Sequence, residues 1–226
     1  MLIGESSNVL VHLRPAPVVA RVMTATAALH SDEEAWLAHE LSVTGFAAAA
    51  GAPVVAPSDL LPPGPHKHGG LWLSFWELAA ERTGAGELSG AQVGRSLREL
   101  HDALAGYEAD DLPPFTVALA ELDVTVVDAR ADLPWQALHG DASLSNLLDT
   151  DRGPLWNDFE DVCRGPVAWD LAGVVQSAEL RGRPAGFAEE ALHAYGDAPG
   201  LDDMGPFLEA HRRYHAAWAR RQRGSV

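Results

Sequence analysis

The 226-residue chain predicts an α+β fold, with a small sheet-containing N-terminal part followed by a mainly helical one. Three observations carry this. Short apolar, β-branched and aromatic runs concentrate before residue 80; helical spacing of apolar residues begins at Ser89; and the residues with obvious chemistry lie in the second half. The division falls between Leu78 and Leu88, where Thr83, Gly84 and Gly86 mark a connection, giving parts 1–80 and 81–226.

Asn8–Leu13 and Pro17–Met23 read as strands joined by a proline-containing turn. Gly4 to Ser7, just before them, reads as a loop with a single glycine. Ser31 with Glu34 three residues on has the form of a capping box, and the helix that follows runs to Ala50 and stops at Gly51. Val54-Val55 and Trp72–Leu78 read as two further strands, and Pro57–Gly70, rich in Pro, Gly and His, as the turn-forming connection between them. After Ser89, Val93, Leu97, Leu100, His101 and Leu104 recur at helical spacing and imply a buried face. Phe115–Ala129 reads as a second helix, although Val124, Val126 and Val127 favour strand. A hairpin of Asn146–Leu148 with Pro154–Trp156 and three helices complete the chain.

Composition narrows the function classes. With 47% apolar and 21% charged residues the chain has the make-up of a globular protein. A net charge of −16 argues against nucleic-acid binding, which needs a basic surface. It would suit a cationic small molecule, although a solvated acidic surface explains it more simply. No apolar run reaches the roughly 18 residues of a membrane span, and the N-terminus lacks the pattern of a signal peptide. The one cysteine, Cys163, excludes an internal disulfide and fits a reducing compartment, so the expected location is cytoplasmic. His66 with His68, and His211 with His215, have no third ligand nearby and read as surface histidines. The arginines Arg212, Arg213, Arg220, Arg221 and Arg223 read as a solvated helix end.

The most informative segment is Leu138–Leu148, in which His139, Asp141 and Asn146 have the H-x-D-x-x-x-x-N spacing of a kinase catalytic loop. A base and a metal ligand must stand at opposite ends of one tight loop so that the attacking hydroxyl and a metal-bound phosphate meet between them. Leu155–Glu160 then forms an apolar strand ending in a carboxylate, Asp158, a second oxygen ligand of the kind Mg²⁺ prefers.

With these motifs, the chain resembles the aminoglycoside phosphotransferase and choline kinase-like family, small-molecule kinases of protein-kinase-like, two-lobed fold. The match is continuous from Leu138 to Ala172 and includes Asp158-Phe159-Glu160-Asp161 and Trp169-Asp170-Leu171-Ala172. The resemblance implies Asp141 as catalytic base, Asn146 and Asp158 as Mg²⁺ ligands, and His139 and Asp170 as support of the loop. It also implies Arg21, in the place of a strand lysine, paired with Glu40, and a hinge at Phe75, Trp76, Glu77 and Leu78 that takes the base of ATP, with GTP as the alternative. The only lysine, Lys67, lies in the Pro/Gly/His connection instead. Asp170 follows Asp158 by only twelve positions, which leaves no room for a peptide-docking activation loop. The expected acceptor is therefore a small hydroxyl compound, such as an aminoglycoside or other cationic alcohol.

The alternative is a weak or inactive module that binds nucleotide or metabolite, motivated by Arg21, the glycine-poor loop and the short segment before His139. A phosphoesterase built on His139 and Asp141 lacks the further ligands such sites need. Glu160 and Asp161 are candidates to face an amine-bearing acceptor. Nothing in the sequence indicates an oligomeric state.

Overall fold

The computed structural model describes residues 1–5, 8–24, 32–83, 87–121, 133–201 and 204–224. An N-terminal antiparallel sheet precedes a helical C-terminal region, as the sequence predicts. The sheet comprises β1 (Leu2–Glu5), β2 (Asn8–His12), β3 (Val18–Met23), β4 (His66–His68) and β5 (Leu71–Glu77), in the order β1-β2-β3-β5-β4. One face of β3 and β5 is buried through Val19, Arg21, Ser74 and Trp76, and α1 (Glu33–Ala49) packs against the sheet. Arg21 lies in the middle of β3, opposite Leu10 on one side and Ser74 on the other.

Several local expectations shift. β1 includes Gly4 and Glu5, which were expected in a loop; Ser6 and Ser7 lie outside the described residues. β4 falls within the expected connection, because a polar His-Lys-His run on a sheet edge carries no alternating apolar signal. Lys67 stands there over the Trp72 ring, 4.8 Å from its centroid, and takes no part in the cleft described below. Val54-Val55 forms no strand. Pro53 and Pro57 remove two donors, and what remains is a bridge from Val54 to Trp156 with the Val55 amide donating to the Trp156 carbonyl at 2.8 Å. The cap of α1 is Asp32, whose carboxylate accepts from the Ala35 amide at 3.0 Å; Ser31 is outside the described residues.

The helical region is built from α2 (Gly90–Leu104), α3 (Thr116–Glu121), α4 (Ala168–Leu180), α5 (Phe187–Tyr195) and α6 (Gly205–Gly224). α2 opens on the Ser89/Gln92 capping box, and all five residues expected on its buried face are buried. At Gly94 a β-carbon would lie 2.0 Å from the Ala191 carbonyl oxygen, so this glycine lets α2 and α5 approach backbone to side. The expected helix from Phe115 is α3, and Val124, Val126 and Val127 lie outside the described residues. Two ribbons cross the region: β6 (Gln136–Leu138) with β9 (Cys163–Gly165), and the expected hairpin β7 (Leu147–Thr150) with β8 (Gly153–Trp156). β6 and β9 have three residues each, too few for a readable alternation.

His211 is no surface histidine. It is buried on α6, stacks on the Trp169 ring at 3.8 Å between centroids, and donates from Nε2 to the Trp169 carbonyl at 3.0 Å. Among the described residues its buried Nδ1 has no hydrogen-bond partner, and burial pulls its pKa down to about 4. The folded value lies below the unfolded value of roughly 6.5, so this stabilisation is complete above pH 6.5 and is lost as pH falls towards 4. The loss should be on the order of 3 kcal/mol. Urea unfolding of wild type and His211→Gln at pH 7 and pH 4.5 checks it: the drop on acidification should be clearly smaller in the variant.

Candidate active site

β6 delivers the chain into the loop His139–Asn146, which closes in a 3-10 turn at Leu144–Asn146. The Asn146 amide nitrogen donates both to the Asp141 carboxylate, at 2.8 Å, and to the Asp141 carbonyl, at 3.0 Å. This leaves the Asn146 amide oxygen as the atom available to a ligand. The β7–β8 hairpin then brings the chain back, and the Asn157 amide donates to the Asn146 carbonyl at 2.9 Å. Asp158 follows in a left-handed conformation, φ 62° and ψ 62°, the only non-glycine with positive φ among the described residues. Backbone of this kind is uncommon outside glycine and is a recurring feature of functional sites.

Asp170 sits behind the loop, fully buried at the start of α4. Its carboxylate accepts from the amides of His139 at 2.9 Å and Gly140 at 3.0 Å, and from His101 Nε2 at 3.0 Å. Burial works to raise its pKa, but the hydrogen bond and charge of His101 and the His139 contacts outweigh it, and the pKa lies below the ordinary value. The Tyr195 hydroxyl closes the chain of contacts on His101 Nδ1 at 2.9 Å. His139 donates from Nε2 to the Asn157 carbonyl at 3.0 Å and packs on Phe159, 4.2 Å between ring centroids. The loop and the Asp158 turn are therefore joined through a buried side chain.

Gly140 is required by space as well as by backbone. Its φ is +88°, and a β-carbon there would lie 1.7 Å from the Asp161 carbonyl oxygen. Gly140→Ala is expected to cost more than about 2 kcal/mol, through strain and displacement of the Asp161 turn. A fall in thermal midpoint accompanied by loss of turnover checks this; an unchanged midpoint contradicts it.

Arg21 reaches from the sheet into the same place. Its guanidinium pairs with Glu40 of α1, and lies 2.9 Å from Asp158 Oδ1 and 2.5 Å from Glu160 Oε2. Asn8 of β2 also holds Glu160, donating at 2.8 Å. Burial opposes the charge on Arg21, yet three carboxylates hold its pKa above the ordinary value. The carboxylates share one cation among them. Burial and the neighbouring acids outweigh Arg21 at Glu40, which is pushed up to about 7. Asp141 is likewise pushed up to about 7 by burial and by the charge of Asp158, with the Asn146 hydrogen bond opposing. Asp161 is pushed well above its ordinary range by burial and by Glu160, Asp141 and Asp158.

This excess of acid fits a divalent cation. Among the described residues Glu40 Oε2 is buried without a hydrogen bond, Asp158 Oδ1 meets only the Arg21 guanidinium, and the donor set is all oxygen, as Mg²⁺ prefers. Among the described residues no three His, Cys, Asp or Glu side chains form a metal cage, so Asn146 and Asp158 would have to share the ion with water and phosphate oxygens.

Arg21, Glu40 and Asp158 form the polar end of a cleft of about 150 Å³. Leu10, Val19 and Val55 line its apolar part on the sheet side, and Leu148 of the hairpin faces them. Trp76, Glu77 and Leu78 border this cleft, whereas Phe75 is on the opposite side of β5 with its ring 5.3 Å from that of His66. The amides of Phe75, Glu77 and Leu78 already donate to the carbonyls of Pro63, Ala56 and Pro17, at 2.8, 3.0 and 2.9 Å. The Trp76 indole donates to Ser74 at 2.8 Å, and the Glu77 carboxylate is held by Arg152 and the Ala56 amide. Ala79, the next residue, also lines the cleft.

The sequence reading did not single out Asn8, His101 as a partner of Asp170, or Tyr195. A histidine on the apolar face of α2 was the available signal for His101; Asn8 and Tyr195 carried none.

A small antiparallel sheet over a helical region, with a loop and a carboxylate turn meeting beneath it, is the architecture of protein-kinase-like small-molecule phosphotransferases. Residues 106–207 match the family model described as the phosphotransferase enzyme family. Solved structures agree in fold over nearly the whole chain. The amicoumacin kinase hAmiN, in complex with AMP-PNP and Ca²⁺, superposes with a TM-score of 0.68 at 14% identity, covering 96% of this chain and 79% of its own. A choline/ethanolamine kinase family protein from Mesorhizobium loti gives 0.63 at 19%, covering 100% and 80%. An aminoglycoside phosphotransferase from Streptomyces rimosus gives 0.64 at 14%, covering 95% and 92%. A search of curated proteins by sequence finds no match. Among the described residues no helix is long and apolar enough to cross a membrane.

Proposed function

We propose that the protein transfers the γ-phosphoryl group of ATP, or alternatively GTP, to a hydroxyl of a small molecule, with residues 1–80 as nucleotide lobe and 81–226 as catalytic lobe. The observation that supports this most is the unbroken run of contacts from Asp141 through Asn146 and Asn157 to Asp158, with Arg21 and Glu40 facing it from the sheet. Asp141 orients the acceptor hydroxyl and takes its proton as the new O–P bond forms; the bond from the γ-phosphorus to the β–γ bridging oxygen breaks, and the nucleoside diphosphate leaves with that electron pair. A carboxyl poised near neutrality suits this task. Asn146 and Asp158 are the residues that would hold Mg²⁺, which when bound neutralises and positions the phosphate oxygens. Asp170 and His139 keep the loop in register with the Asp158 turn. Leu10, Val19, Val55 and Leu148 offer the base an apolar slot, bordered by Trp76, Glu77 and Leu78.

A second reading has its own observation. The Arg21 guanidinium is already shared among Glu40, Asp158 and Glu160, so phosphates must displace carboxylates to reach it. A module that holds nucleotide without turnover would show the same contacts. Calorimetry with ATP and GTP, with and without Mg²⁺, on wild type and Asp158→Ala tests the site. Mg²⁺-dependent binding that weakens at least tenfold in Asp158→Ala is expected. Binding without turnover, or turnover unaffected by Asp141→Asn, favours the second reading.

A further inference from the structure

The two terminal nitrogens of the Arg21 fork face different partners. Nη1 pairs with Glu40 of α1, whereas Nη2 meets both Asp158, at 2.9 Å, and Glu160, at 2.5 Å. A lysine, with a single nitrogen, could not divide itself in this way. Glu160 is the more firmly held of the two partners of Nη2. Its Oε2 accepts from Arg21 and also from the Asn8 side-chain amide at 2.8 Å, so two strands of the sheet grip one carboxylate oxygen. Its side chain is 14% exposed against 30% for Asp158, which leaves Asp158 as the carboxylate with room to turn towards a cation. Asn8, Arg21, Glu40 and Asp158 line the polar end of the cleft, and Glu160 stands behind them on the same guanidinium. Three carboxylates answer one cation there, so an incoming polyanion meets net negative charge at short range.

We propose that Glu160 is a specificity-determining residue, which makes the cleft reject free nucleoside triphosphate and accept the metal-complexed form. This rests on the phosphotransferase reading above. A free triphosphate reaches Nη2 only by stripping two carboxylates from it, and once there it lies against both of them. When Mg²⁺ accompanies the nucleotide, part of the phosphate charge is already neutralised and Asp158 has a cation of its own. Arg21 Nη2 then keeps Glu160 and exchanges Asp158 for a phosphate oxygen, while Nη1 stays on Glu40. Discrimination of this kind works by repelling the wrong ligand as much as by holding the right one. By linkage, Mg²⁺ and nucleotide tighten each other by the same factor, and Glu160 sets much of that factor.

The test is calorimetry with ATP on wild type and Glu160→Gln, in EDTA and in Mg²⁺. The variant keeps the shape of the side chain, and its amide oxygen can still accept from Asn8. In EDTA its Kd for ATP should fall roughly tenfold or more below that of wild type, while its Kd for Mg·ATP stays within about threefold. A merely structural role would weaken both forms together. Glu34→Gln, an exposed carboxylate in the first turn of α1, controls for net charge and should leave the ratio of the two constants within about twofold. An unchanged ratio in Glu160→Gln, an equal fall in Glu34→Gln, or a wild type that binds ATP equally well with and without Mg²⁺ overturns the proposal. If wild type binds nucleotide under neither condition, the phosphotransferase reading falls, and tripolyphosphate in EDTA still decides the role of Glu160. Tripolyphosphate binding gained in Glu160→Gln and absent from wild type sustains it; no gain overturns it.

Discussion

Asp141→Asn is expected to lower phosphoryl transfer by roughly two to four orders of magnitude while leaving Mg·nucleotide affinity within a factor of a few. The substitution keeps the shape of the side chain. The Asn146 amide would donate to the new amide oxygen much as it donates to the carboxylate at 2.8 Å, so the loop should keep its conformation. What is lost is the atom that can receive a proton. The same change removes a charge from a crowded acidic site in which Asp141 is already pushed up to about 7 by burial and Asp158. A stability equal to or slightly above wild type should therefore accompany the loss of turnover. Single-turnover phosphoryl transfer, nucleotide calorimetry and urea unfolding on one preparation separate the three effects. A rate within tenfold of wild type would remove Asp141 from the role of base.

Asp170→Ala is expected to have the largest effect on stability, on the order of 3–5 kcal/mol. Three donors converge on one fully buried carboxylate: the His139 and Gly140 amides and His101 Nε2. Truncation leaves all three facing a cavity with no acceptor, and a buried donor left unpaired costs about 1–3 kcal/mol. The effect must also reach the chemistry, because the two amides belong to the loop that carries Asp141. Asp170→Asn keeps the volume and one acceptor oxygen and should fall between wild type and alanine in urea midpoint. His101→Phe should resemble Asp170→Asn, since it removes one of the three donors but leaves the loop amides held. An Asp170→Ala protein as stable as wild type would mean that the loop is held by something other than this carboxylate.

The parts of the fold that were legible in the sequence are those written in local spacing. The buried face of α2 is a 3.6-residue repeat, and its capping box lies within four residues of chain. β2, β3 and β5 carry β-branched and aromatic runs, and the β7–β8 hairpin brackets a short polar turn. Where local signals were thin, the reading slipped. β4 is polar because it is an edge, β6 and β9 are three residues long, and Val54-Val55 has strand-forming side chains between prolines that deny it a ladder. His211 was misjudged for a different reason. Its neighbours Arg212 and Arg213 make the helix look solvated, and only the packing of α6 on Trp169 turns that one residue inward.

For the site, the sequence alone determined that Asp141, Asn146 and Asp158 stand at kinase-like spacing, because the roles proposed for them need short separations within one loop and hairpin. The pairing of Arg21 with Glu40 was legible through resemblance, since both lie at recognisable places on consecutive elements. Only the tertiary structure decided that Glu160, 139 residues from Arg21, shares the same guanidinium, and that Asn8 holds it from the sheet. It also decided that Phe75 turns away from the cleft while Trp76 borders it. Such facts depend on which surfaces meet when the sheet closes over the helical region. That closure is governed by burial and charge balance summed over many elements, and no stretch of neighbouring residues records it.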